Sequence, residues 1–264
     1  MAIQPSETSR KLSDIPVGHY HRVMEEGNPI RRAWHILKFR RVLELCNVGV
    51  GSLLDVGCFS GSLLSLASER AFDRQLGVDI LPDQVEYAQR SFGTSYRSFQ
   101  TIRDFDDLAR LSGPFDYITS VEVIEHLTPE EIGKMLMAVA KLLRPGTGRL
   151  VMSTPNYTSA WPLLEALLNR FSDVDYTEQH ITKFTYFGFE EQLRAVAGPA
   201  MNYFDLEVRT STHLMTPFLA LPLGVQRATA LGSRLPHRSW PVPLGNLILV
   251  RMRRNAVAFN ENRV

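Results

Sequence analysis

Four stretches of the sequence combine residue types that can do chemistry. The first, Leu53-Leu54-Asp55-Val56-Gly57-Cys58-Phe59-Ser60-Gly61, runs from apolar residues into a glycine-bearing turn. Gly57 and Gly61 let backbone approach a ligand closely, and a helix behind such a turn offers free N–H groups. The third glycine of the dinucleotide pattern G-x-G-x-x-G is absent. The second, Leu76-Gly77-Val78-Asp79-Ile80, ends on an acid 22 residues after Gly57. A carboxylate there can accept both hydroxyls of a ribose. The third, Phe115 to Leu127, closes in a polar cluster of Glu122, Glu125 and His126. The fourth joins Leu142-Leu143-Arg144-Pro145-Gly146 to Gly148 through Asn156, a helix stop followed by an apolar run. Later, His180 lies in Glu178-Gln179-His180-Ile181-Thr182-Lys183-Phe184. His126 and His180 have the intrinsic pKa of a base that works near neutrality. Each also has a plainer use: Glu125 and His126 as caps of the next helix, His180 in a loop hydrogen bond.

The elements that must position these residues follow from periodicity. Short apolar runs at 52–56, 75–79, 115–121 and 148–153 read as strands, with a weaker one at 95–100. Helix-length segments lie between them at 61–71, 82–92 and 129–143, and a further helix precedes them at 30–47. Alternation of this kind predicts a parallel sheet with helices on both faces. After Pro155, Trp161, Leu164, Leu168 and Phe171 fall at helical spacing. A helix at 186–197, a strand at 202–210, an irregular Pro-rich stretch at 211–245 and a strand at 246–252 complete the chain. In a doubly wound sheet the fourth strand lies beside the first, so the cluster at Glu122 faces whatever the first turn holds.

Composition narrows the class. The chain has 264 residues, 44% of them hydrophobic, which excludes a disordered chain and allows one or two domains. A net charge of +1 argues against a dedicated nucleic-acid binder. Cys46 and Cys58 form neither a disulfide framework nor a zinc spacing, which is compatible with a reducing cytoplasm. The polar start and the lack of a long apolar run predict neither signal peptide nor spanning helix. Charge is uneven: residues 208–260 hold seven Arg and no acid, whereas 104–131 hold eight acids. The basic block suits a solvated face, or an anionic partner such as a phosphate or a lipid surface.

Taken together, the four stretches resemble class I S-adenosylmethionine-dependent methyltransferases, in particular the small-molecule branch that includes ubiquinone-biosynthesis O-methyltransferases. The likeness covers roughly residues 50–210. It implies an α/β fold, a doubly wound seven-stranded sheet in the order 3-2-1-4-5-7-6 with the last strand antiparallel and helical insertions over the substrate. It implies an N-terminal tail and cap helix at 1–48, a cofactor-binding core at 49–156, a variable lid at 157–183 and completion of the sheet at 184–264. S-adenosylmethionine would lie with its methionine part on Asp55, Gly57, Cys58, Phe59 and Gly61. Asp79 would take the ribose, Ile80 would pack on the adenine, Asp104 would meet the adenine amine beside Phe105, and Val121 and Glu122 would border the methionine end. The family usually has glycine where Phe59 stands, so a side chain there reshapes the pocket or caps it.

Methyl transfer needs a base only if the acceptor must lose a proton, as a hydroxyl does. His126, His180 and Glu125 are the candidates, and no metal ligand is assigned. The expected acceptor is a small or lipid-linked metabolite, taken up through an oxygen more readily than a nitrogen. Segments 15–35, 157–183 and 211–245 are placed to select it, and Tyr20, Trp34, Tyr157 and Trp161 can stack on a ring. Peripheral membrane contact and a homodimer are both compatible with 211–245. Two rivals stand beside this reading. Glu122, Glu125 and His126 at i, i+3, i+4, with His180, resemble the metal-binding element of small-RNA 3′-end 2′-O-methyltransferases. A catalytically silent scaffold would keep the fold and use Phe59 to close the pocket.

Overall fold

The computed structural model describes residues 15–46, 51–68, 71–163, 180–234 and 243–259. Seven strands form one sheet in the order β3-β2-β1-β4-β5-β7-β6, as the resemblance implies. They are β1 (Ser52–Val56), β2 (Arg74–Asp79), β3 (Arg97–Thr101), β4 (Tyr117–Val121), β5 (Arg149–Pro155), β6 (Phe204–Thr212) and β7 (Leu247–Arg254). The first five are mutually parallel. β7 is antiparallel to both β5 and β6, so β6 runs in the direction of β5.

Apolar runs such as Leu53-Leu54 and Leu150-Val151-Met152 are fully buried, because a parallel sheet is covered on both faces. Successive side chains point to opposite faces, so these strands feed two cores. One holds Leu54, Ile118, Leu150 and Val250 with Ile132, Met135 and Leu136 of α6 (Pro129–Leu142). The other holds Leu53, Tyr117, Val151 and Leu249 with Phe39, Val42 and Leu43 of α2 (Pro29–Leu45). The α6 helix starts where its sequence says it should. Thr128 and Glu131 form a reciprocal capping box and Pro129 opens the first turn.

Several boundaries differ from expectation. The helix expected over 61–71 is the single-turn α3 (Ser62–Leu66), whose chain turns extended at Ala67. The helix expected at 186–197 begins only at Phe189, as α7 (Phe189–Ala197). An unexpected helix α5 (Phe105–Ala109) is N-capped by Asp104, and α1 (His19–Glu26) precedes α2. The helix α4 (Pro82–Phe92) matches its expected span.

The largest correction concerns 211–245. Up to Arg234 it is not irregular: a 3-10 turn (Thr216–Leu219) leads to α8 (Ala220–Leu223) and α9 (Val225–Arg234), and 235–242 lie outside the described residues. Ala220 and Ala228 bury against Ala33 of α2. Pro217 and Pro222 sit in the first turns of these short elements, where proline is tolerated. The expected helical spacing at Leu164, Leu168 and Phe171 lies outside the described residues. No described helix is long and apolar enough to cross a membrane.

Candidate active site

The parallel strands bring their carboxyl ends to one edge, where open α/β sheets bind ligands. At the end of β1 the turn from Gly57 is pinned to β2, since Gly57 and Cys58 both donate their N–H to the Val78 carbonyl. Gly57 has φ 78° and a Cβ there would stand 2.4 Å from Val123. Gly61 has φ 77° and its Cβ would press on Phe99 and Ala88. Both positions therefore demand glycine. Phe59, in contrast, holds φ 48° with a side chain, and its ring meets Tyr20 of α1 edge-on at 5.1 Å.

Asp79 ends β2 beside this turn. Its Oδ2 accepts the Phe59 N–H at 2.8 Å and its Oδ1 accepts the Leu81 N–H at 3.0 Å. Burial raises its pKa, against the pull of those backbone donors. Each carboxylate oxygen keeps a second acceptor direction, so the group can hold the turn and still accept ribose hydroxyls. Ile80 next to it is exposed, an apolar side chain presented at the ligand edge. Asp104 and Phe105 follow β3 at the same edge. Asp104 accepts the Asp107 N–H as an N-cap, and Phe105 packs against the core. Asp55 is buried on β1 and accepts from the Thr119 hydroxyl at 2.8 Å; burial pushes its pKa up to about 7. Cys58 is a buried thiol, its pKa raised by burial. Turn, carboxylate and apolar neighbour together fit a cofactor with a ribose and an anionic amino-acid end.

The polar cluster after β4 is assembled, but not as one helical face. Only Ile124–His126 form a 3-10 turn, and α6 starts three residues later. Glu122 sits apart at φ 54°, its N–H donating to the Ser153 carbonyl and its Oε2 taken by the Lys38 ammonium. Burial would raise the Glu122 pKa, yet Lys38 outweighs it and holds the carboxyl below its usual value. Val121, the residue before, pairs with Ser153 of β5.

Glu125, His126 and His180 do converge, with one ligand atom from each within 4.8 Å. The two imidazole rings lie 5.2 Å apart. His180 is buried and its Nδ1 shares a hydrogen bond with the Tyr157 hydroxyl at 3.0 Å. Glu125 Oε2 accepts from the Thr154 hydroxyl, and its main-chain carbonyl accepts the Thr182 N–H, which ties the His180 segment in place. Burial first, and the charge of Glu122 second, push the Glu125 pKa well up. That raised pKa, together with its hydrogen bond from Thr154, suits Glu125 to positioning the two imidazoles. Among the described residues its buried Oε1 has no partner. Two imidazoles and one carboxyl are a donor set that fits a divalent ion.

The aromatic residues gather on the same side. Trp34 and Trp161 lie 6.0 Å apart, and Trp161 lies 6.3 Å from His180. Asn156 closes the edge by donating to the Pro243 and Gly245 carbonyls. Two residues here carry no signal in the sequence pattern. Lys38 is one charged residue in a helix with many, and His213 follows a strand with no motif around it.

Comparison with known proteins agrees with this geometry. A family model described as a methyltransferase domain matches residues 31–196. The ubiquinone biosynthesis O-methyltransferases of a Caulobacter sp. and of Caulobacter vibrioides are 34% identical over 111 and 112 residues, 40% of this chain. These matches span 41% and 42% of the relatives, so the chain matches about two fifths of their length. Among solved structures, the Haloferax volcanii complex of the Trm112 methyltransferase activator with a methyltransferase has a TM-score of 0.60 at 18% identity, covering 96% of this chain and 100% of that one. Magnesium protoporphyrin IX methyltransferase from Synechocystis with bound SAM has 0.55 at 18%, covering 96% and 99%. The N-methyltransferase NodS from Bradyrhizobium japonicum with S-adenosyl-L-homocysteine has 0.53 at 19%, covering 94% and 96%. Likeness at these identities is likeness of fold.

Proposed function

The chain belongs to the methyltransferase-domain family, and on that premise we propose that it transfers a methyl group from S-adenosylmethionine to an oxygen of a small or lipid-linked metabolite. The observation that carries this reading is the Asp79 carboxylate, seated on the Phe59 N–H beside the Gly57–Gly61 turn and one strand from the switch point between β1 and β4. The cofactor supplies a methyl carbon on a sulfonium, so that an O–C bond forms as a C–S bond breaks and the electron pair stays on sulfur.

The chain's own residues do the rest. Asp79 accepts the ribose hydroxyls, Ile80 covers the adenine, and the Gly57–Gly61 turn gives its backbone to the methionine end. Trp34, Tyr157 and Trp161 keep water from the acceptor, since positioning and desolvation dominate when the methyl is already activated. The proton released by a hydroxyl goes to the His126–His180 pair, and Glu125 and Tyr157 hold that pair in place.

Calorimetric titration with S-adenosylhomocysteine tests the reading. Micromolar binding that is lost in Asp79→Ala supports it; no binding in the native chain overturns it and puts the silent scaffold first. A second reading rests on the Glu125, His126 and His180 cluster: metal-dependent 2′-O-methylation of RNA. Turnover of a small acceptor that survives EDTA retires it. Turnover confined to an RNA acceptor and to added Mg²⁺ or Mn²⁺ replaces the first reading with it.

A further inference from the structure

Phe59 carries a side chain in a turn whose other two tight positions, Gly57 and Gly61, are glycine. Its backbone is left-handed at φ 48°. That conformation costs energy in any residue with a side chain and persists only where the surroundings enforce it. Its N–H is already committed to Asp79. Its ring stands edge-on to Tyr20 at 5.1 Å, and Tyr20 in turn lies 5.3 Å from the His35 ring of α2. The strained turn therefore presents its ring to α1, a helix that precedes the sheet in the chain.

α1 is fastened on a second side as well. Gly18, its N-cap, donates its N–H to Gln84 Oε1 at 3.1 Å, and Gln84 Nε2 donates to the Ile15 carbonyl at 3.2 Å. Gln84 is a buried amide in the first turn of α4. Gly18 has φ 72° and sits so close to α4 that a Cβ would stand 2.7 Å from the Tyr87 ring. His21 Nδ1 and the Tyr87 hydroxyl share a hydrogen bond at 3.1 Å, and the His21 ring meets Phe92 edge-on at 4.7 Å. α4 begins three residues after Asp79. α1 thus bridges two lips of the cofactor site: the start of α4 behind the ribose carboxylate, and the Gly57–Gly61 turn. Hydrogen bonds hold it to the α4 lip. The ring contact of Tyr20 with Phe59 holds it to the turn, and is the weaker attachment.

We propose that Phe59 is a positioning residue for the cofactor: with Tyr20 it latches α1 across the site, and bound S-adenosylmethionine leaves only when this latch opens. This rests on the cofactor placement described above. A helix tied to both lips covers what lies between them, and the way out runs through the more weakly held side. The latch also accounts for the side chain at Phe59, since glycine would relieve the backbone and leave α1 untied from the turn.

The probe is tritiated S-adenosylhomocysteine, bound to the full chain and chased with an excess of the unlabelled compound. Phe59→Gly and Tyr20→Ala should each release it about three- to tenfold faster than the native chain, the worth of one aromatic pair. The double variant should release it no faster than the quicker single, because each change removes the same contact. Phe59→Tyr keeps the ring and should release at the native rate. Melting temperature separates a latch from a merely structural ring. Glycine adopts φ 48° without strain, so Phe59→Gly should melt close to the native chain while releasing the probe faster. Hydrogen exchange of the native chain needs no variant to fold: the amides of 19–26 should gain protection when S-adenosylhomocysteine is bound. Native release rates in both single variants, accelerations that multiply in the double variant, faster release matched by a lowered melting temperature, or α1 exchange indifferent to the cofactor overturns the proposal. Failure of S-adenosylhomocysteine to bind the native chain at equilibrium is a separate result, which removes the cofactor placement and the latch with it.

Discussion

Lys38 and Glu122, 84 residues apart, form a part-buried ion pair at the carboxyl edge of the sheet. The pair ties α2 to the end of β4 and fixes a glutamate whose backbone is left-handed. It also explains why Glu122 stays outside the cluster of Glu125, His126 and His180. A carboxylate already holding an ammonium has little left for a second cation.

Breaking this pair should be costly from one side only. Lys38→Met leaves a half-buried carboxylate without its partner, with an expected loss of about 1–3 kcal/mol in urea unfolding at pH 7. Adding Glu122→Gln should recover most of that loss, because no charge is then left unpaired. Two losses that simply add would show that the residues do not interact.

Asp79 has a structural duty as well as the one proposed for it, since it accepts two backbone N–H groups. Asp79→Ala should therefore lower both cofactor affinity and stability. Asp79→Asn, which keeps an oxygen acceptor, should weaken S-adenosylhomocysteine binding by about tenfold or more with a smaller change in melting temperature. Equal effects of the two variants on affinity would point to folding alone.

His126→Ala and His180→Ala should each reduce turnover by about 10²–10⁴, the range of general base catalysis, and leave S-adenosylhomocysteine affinity near the native value. Tyr157→Phe removes the hydroxyl that holds His180 Nδ1, and should cost less than either. Native turnover in both histidine variants would assign the proton to solvent.

Asp55 gives a pH dependence of stability with a definite sign. Its pKa is about 7 in the fold, raised mainly by burial and lowered in part by the Thr119 hydroxyl, against about 3.9 when unfolded. The folded state thus binds the proton more tightly. Stability from this group is full below pH 4, falls between pH 4 and pH 7, and is level above. The unfolding free energy of the native chain relative to Asp55→Asn, read by urea titration at each pH, should decline over that window by an amount on the order of a few kcal/mol. A difference that does not change with pH would show that Asp55 is ionised throughout.

Gly61→Ala should destabilise the chain by roughly 1–3 kcal/mol. It adds a methyl about 3 Å from Phe99 and Ala88 to a residue at φ 77°. Thermal unfolding reads this directly, and an unchanged transition would mean that the turn relaxes freely.

Local sequence determined the strands, most of the helices between them and the motif that begins at Asp55. Leu53-Leu54 and Leu150-Val151-Met152 are buried on both faces and read as strands with no further information. Gly57, Gly61 and Asp79 were legible because a left-handed turn and a terminal acid are properties of a few adjacent residues. The helices at 216–234 were not legible, because two prolines and scattered leucines hide a face that only α2 completes. Tertiary structure alone decided the partners of Lys38 and His213. Both are single polar residues whose meaning comes from groups far along the chain: Lys38 from Glu122, and His213 from the Trp34 carbonyl 179 residues away. Burial turns such residues from ordinary surface types into an ion pair and a neutral imidazole. Periodicity reports which face of an element is buried, and it carries no record of what that face meets.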